Sequence, residues 1–125
     1  MTNTNQTTMT CKTKFAFEND AIPMFYIDLC NREFERGAIV VLTVADAFDI
    51  LKAWHENNRV AVFRGGYKDL CSICWYDDPV DNMAFSVGNF DGERGTFWLN
   101  KNYCTQLIES LQSYVYKCAT LVGGH

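Results

Sequence analysis

The sequence predicts an α+β domain: antiparallel β-sheet of about six to seven strands with two amphipathic helices, at 43–56 and 100–116. Three observations carry this expectation. Short runs rich in β-branched and aromatic residues recur between turn signals, as in Ala38-Ile39-Val40-Val41-Leu42 and Thr96-Phe97-Trp98-Leu99. Two segments switch to the helical spacing of apolar residues. The 125 residues are 48% hydrophobic and 14% aromatic with only two prolines, which excludes a disordered chain and leaves enough apolar surface for a core.

Taken in order, Thr2-Asn3-Thr4-Asn5-Gln6-Thr7-Thr8 is polar and uncharged, and residues 1–13 are expected to be a flexible tail. Phe15-Ala16-Phe17 reads as a short first strand, and Asn19-Asp20 as a turn. From Pro23 to Cys30, Phe25, Ile27 and Leu29 alternate with Tyr26 and Asp28, the period of a half-buried strand. Residues 38–42 form a further strand. Thr43 then opens a helix, with Asp46 three residues on in a near capping-box pattern. Val44, Ala47, Phe48, Leu51 and Trp54 give that helix its apolar face, and Asn57-Asn58 stops it.

Arg59 to Phe63 and Leu70 to Tyr76 are strands around a Gly65-Gly66 hairpin turn. Met83 to Val87 and Thr96 to Leu99 are strands around Asp91-Gly92. Asn100 caps the second helix, whose stripe is Cys104, Leu107, Ile108, Leu111 and Val115. The single α+β domain is expected to span 14–120, with 121–125 a loose end.

Gly37 to Trp54 and Gly95 to Leu111 read alike at an offset of about 57–58 residues: Gly, strand, Leu, capping residue, helix. Ile50, Leu51 and Trp54 fall on Leu107, Ile108 and Leu111. The chain is therefore read as two candidate strands-then-helix repeats. In that pattern it resembles single-stranded nucleic-acid binders of the PUR, Whirly and PC4 kind. The resemblance implies a curved antiparallel sheet with helices on one side and nucleic acid on the other.

Net charge is −4, which counts against a duplex-DNA binder, although Arg32, Arg36, Arg59, Arg64 and Lys68 gather in one central stretch. Met1 to Lys14 holds no apolar run of signal-peptide length, and no run approaches the ~20 apolar residues of a membrane span. A cytoplasmic chain is expected, with its six cysteines reduced and mostly buried.

Cys71-Ser72-Ile73-Cys74 has the C-x-x-C spacing, but its neighbours read as strand. Residues three apart on a strand belong to opposite faces, which argues against a redox or metal pair. No metal or cofactor is expected. His55 is the one internal histidine, and a cysteine-dependent enzyme using it is the third functional reading. At a helix end it is more simply a residue that suits the dipole.

Asp77, Asp78 and Asp81 bracket Pro79 and offer an acidic contact loop. Phe90 and Arg94, in a glycine-rich turn, are the residue types that anchor partners. Trp98 faces opposite Phe97 and Leu99, so one of these sets looks away from the helical layer, as core, dimer interface or ligand surface; an outward aromatic face with Arg59 and Arg64 could stack and neutralise a single strand.

These signals, and the missing catalytic constellation, lead to an expected small non-enzymatic binding protein that occupies a protein partner. Inhibitors and adaptors are of this type, anti-defence proteins of phages and plasmids among them. Single-stranded nucleic-acid binding is the alternative. An uncovered sheet face or edge also predicts a homodimer.

Overall fold

The computed structural model describes residues 7–15, 17–32, 36–56, 60–64, 70–75, 83–87 and 96–123. The chain is α+β, built on a three-stranded antiparallel sheet, a further strand and two helices. Strands β1 (Thr7–Lys14), β2 (Met24–Asn31) and β3 (Arg36–Leu42) pair in the order β1-β2-β3 and lead into helix α1 (Val44–His55). The backbone then runs extended through β4 (Val60–Arg64), β5 (Leu70–Trp75) and β6 (Met83–Val87). These are hydrogen-bonded in series to β7 (Thr96–Leu99), which leads into helix α2 (Lys101–Gly123).

Side-chain alternation decides which face of the first sheet is buried. The register sets Met9 against Leu29 and Ala38, Cys11 against Ile27 and Val40, and Thr13 against Phe25 and Leu42. Met9, Phe25, Ile27, Leu29, Val40 and Leu42 are all buried on this face. Each such side chain contributes about 1.5–3 kcal/mol through apolar burial. The other face carries Thr8, Thr10, Lys12, Lys14, Asp28 and Ile39, all exposed. At the open end of the inner face Asn31 Nδ2 donates to Thr7 Oγ1 at 3.0 Å, which lets two polar side chains stay buried. β2 and β3 also approach closely, since a Cβ on Gly37 would lie 3.1 Å from the Leu29 carbonyl oxygen.

α1 starts where the sequence says it should. Thr43 Oγ1 accepts from Asp46 N at 3.2 Å, and Thr43 N donates to Asp46 Oδ2 at 3.0 Å, closing a capping box with Asp in place of Glu. α2 begins in the same way, with Asn100 Oδ1 accepting from Tyr103 N at 3.0 Å. α1 packs on β3, β4 and α2, whereas α2 packs on β1 and β7 and β1 lies beside β7. Residues at the repeat offset have matching roles. Val40 and Leu42 correspond to Phe97 and Leu99, Ala47 to Cys104, Ile50 to Leu107 and Leu51 to Ile108, and every one of them is buried. The correspondence stops at Trp54, which is 37% exposed where Leu111 is fully buried.

Three expectations need correction. The supposed tail is a strand from Thr7 onward, with Thr7 and Met9 buried; residues 1–6 lie outside the described residues. Phe15 and Phe17 follow that strand and do not belong to it. Thr7, Thr8, Thr10 and Thr13 give β1 its β propensity without an apolar run, which is why its composition resembles a tail. The second helix does not end near 116, and 121–123 are not a loose end: α2 continues to Gly123. Beyond Leu111 this helix still buries Tyr114 and Cys118. No described helix is long and apolar enough to cross a membrane.

Candidate functional site

The hairpin end of the first sheet meets the far end of α2. Phe17 N donates to Asp20 Oδ2 at 2.9 Å and Asp20 N to the Phe17 carbonyl at 3.1 Å, which fixes the turn after β1. The chain then returns to Pro23, whose carbonyl accepts from the Tyr114 hydroxyl at 2.7 Å. The Tyr114 ring packs on Phe25 with centroids 5.2 Å apart. Phe15 and Phe17, just past β1, and Tyr116 and Leu121, on α2, are all at least half exposed.

Beside the clasp, between β1 and α2, opens a cleft of about 190 Å³. Phe25 and Tyr114 form its apolar part, and Cys11, Thr13, Ser110, Ser113, Lys12 and Lys117 supply its polar lining. No carboxylate lines it, although the chain as a whole is acidic. Its thiol is unsuited to nucleophilic work, because burial pushes Cys11 up to about 11. Burial likewise raises Cys118, and the Tyr114 hydrogen bond and the Lys117 charge only partly oppose it. The Tyr114 phenol is raised too, first by burial and then by Cys118. The groups in this cleft can hold a ligand by hydrogen bonds and charge, but both thiols near it stay protonated at neutral pH.

The outer sheet face offers a second surface. Lys14 Nζ lies 4.9 Å from the centroid of the half-buried Tyr26 ring, a cation–π pair. Trp98, on the strand that adjoins β1, is 39% exposed between buried Phe97 and Leu99, as its alternation requires. Arg64 closes β4, paired with Leu70. Arg59, Asp77, Asp78, Asp81, Phe90 and Arg94 lie outside the described residues, as do Lys68 and Tyr76. Of the candidate contact residues, therefore, only Trp98 has a described side chain. Cys71 pairs with Phe63 and Val87, and Cys74 with Val60 and Ala84, so the two stand on ladder rows of opposite parity. His55 ends α1 and is exposed. Among the described residues no cluster of His, Cys, Asp or Glu is arranged to hold a metal.

Sequence reasoning missed the cleft and the clasp because both depend on β1 and on the last turns of α2. One signal was present: Leu107, Leu111, Tyr114 and Cys118 continue a single helical stripe past residue 116. Compared with known protein families, curated proteins and solved structures, the chain matches none.

Proposed function

We propose that the chain is a small, single-domain, cytoplasmic binding protein without enzymatic activity, which acts by occupying a protein partner as an inhibitor or adaptor, in the manner of anti-defence proteins of phages and plasmids. The observation that carries this is apolar surface held in solvent: Phe17 and Tyr116 are 74% and 73% exposed. Aromatic side chains are enriched where proteins touch partners. The protonated thiols at the cleft support the same reading over a cysteine enzyme. On this reading Asp77, Asp78 and Asp81 form an acidic contact loop, Phe90 and Arg94 reinforce it, and the chain works as a homodimer. It would also be two strands-then-helix repeats of six to seven strands in all. The support for this is that paired strands precede each helix and that both helices bury corresponding positions.

The test is affinity capture with tagged wild-type protein, a Phe17→Ser/Tyr116→Ser double variant, and a variant with alanine at Asp77, Asp78 and Asp81. A discrete partner lost with either variant, while circular dichroism stays unchanged, supports the proposal. Equal capture by all three proteins removes both contact surfaces.

A second reading, single-stranded nucleic-acid binding, is favoured by Lys14 over Tyr26 and by exposed Trp98 on the outer face. Labelled single-stranded oligonucleotides titrated at two salt concentrations decide it. Salt-sensitive binding weakened by Trp98→Ala or by changes at Arg59 and Arg64 promotes this reading, and no binding at low salt ends it.

A further inference from the structure

We infer that the cleft between β1 and α2 is a docking groove for an acidic segment of a partner protein, with a carboxylate side chain seated between Lys117 and the Ser113 and Thr13 hydroxyls. This deepens the binding-protein reading and rests on it. Three observations converge. The first is charge. Lys117 is the charged side chain on the inner side of the cleft and no carboxylate lines it, in a chain whose net charge is −4; Lys12 belongs to the outer face of β1. A groove of this kind favours an acidic visitor and disfavours a second copy of the same acidic chain.

The second is size. At about 190 Å³ the cleft is smaller than the roughly 300–1,000 Å³ usual for a whole small-molecule ligand. It accommodates one side chain and its backbone, and a peptide anchor needs no more. Its Phe25 and Tyr114 part takes the methylenes of a glutamate while the rim takes the charge.

The third is where the groove sits. At the repeat offset, Gln112 corresponds to His55, the last residue of α1, yet α2 runs on to Gly123. Ser113, Tyr114 and Lys117 belong to that continuation, as do exposed Tyr116 and Leu121. The first unit has no described helical counterpart to it. The core repeats, and the groove arises where the second helix departs from the first. Phe15 and Phe17, which follow the strand that forms the other wall, are exposed.

The experiment measures fluorescence anisotropy of labelled ten-residue peptides, each with one Phe, graded from Glu-rich to Lys-rich, against the full chain. Glu-rich peptides are expected to bind and to weaken with salt. Lys117→Glu should weaken them on the order of tenfold and improve the Lys-rich peptides. Lys52→Glu, which makes the same change in net charge on exposed α1, should leave binding unchanged. Equal binding of all peptides, or equal loss from Lys117→Glu and Lys52→Glu, overturns the groove. Should affinity capture still return a partner sensitive to Phe17→Ser/Tyr116→Ser, the binding-protein reading survives and this inference alone fails.

Discussion

The two helices are alike where they face the core and unlike where they leave it. Both start on a side-chain cap, Thr43 for α1 and Asn100 for α2, and both bury the same three positions of their opening turns. α1 then stops at His55 with Trp54 partly in solvent, whereas α2 continues, buries Tyr114 and Cys118, and clasps the first hairpin. The shared positions are those that any helix on such a sheet must fill. The unshared ones add the clasp to Pro23 and bury Tyr114 and Cys118.

The largest expected effects fall on the shared core. Ile50→Ala and Leu107→Ala remove fully buried side chains and should each cost about 2–5 kcal/mol in urea unfolding. A markedly cheaper Ile50→Ala would break the comparison, since the two positions would then not be equivalent. Next comes the unshared clasp. Tyr114→Phe leaves the Pro23 carbonyl without its donor and should cost about 1–3 kcal/mol by the same measurement. The caps follow, with Thr43→Ala and Asn100→Ala each expected to cost about 1 kcal/mol. Unequal cap losses would show that α2 is held mainly by its continuation.

Smallest at neutral pH is the contribution of the Cys11 thiol. An unfolded thiol ionises near its ordinary 9.0, while the native one keeps its proton to about 11. The native state therefore binds more protons between those values, so stability falls as pH rises through them. Cys11→Ser should flatten that fall while leaving stability below pH 9 nearly unchanged, as urea midpoints on either side of pH 9 would show. Parallel pH curves for the two proteins would mean that Cys11 is not held away from water.

Much of this was legible in the sequence, and the reason is periodicity. β2 announced itself by Phe25, Ile27 and Leu29, and α1 by Thr43, Asp46 and the apolar spacing behind them. β1 did not, because its inward residues are Thr7, Met9, Cys11 and Thr13, and a threonine-rich strand has the composition of a tail. Thr7 is accommodated inside through Asn31, a pairing across the sheet that no local pattern contains. The cleft was illegible for a similar reason. Its walls come from residues about a hundred positions apart, and the Ser110, Ser113 and Lys117 side of α2 reads simply as solvated helix.

The bond from Tyr114 to Pro23 joins the beginning of the fold to its last element. A ribosome delivers Phe25 and Ile27 long before it delivers Leu111 and Tyr114. Until α2 emerges, the inner face of the first sheet lacks Leu107, Leu111 and Tyr114, so a chain cut short before α2 would leave part of that face uncovered, a natural client for chaperones.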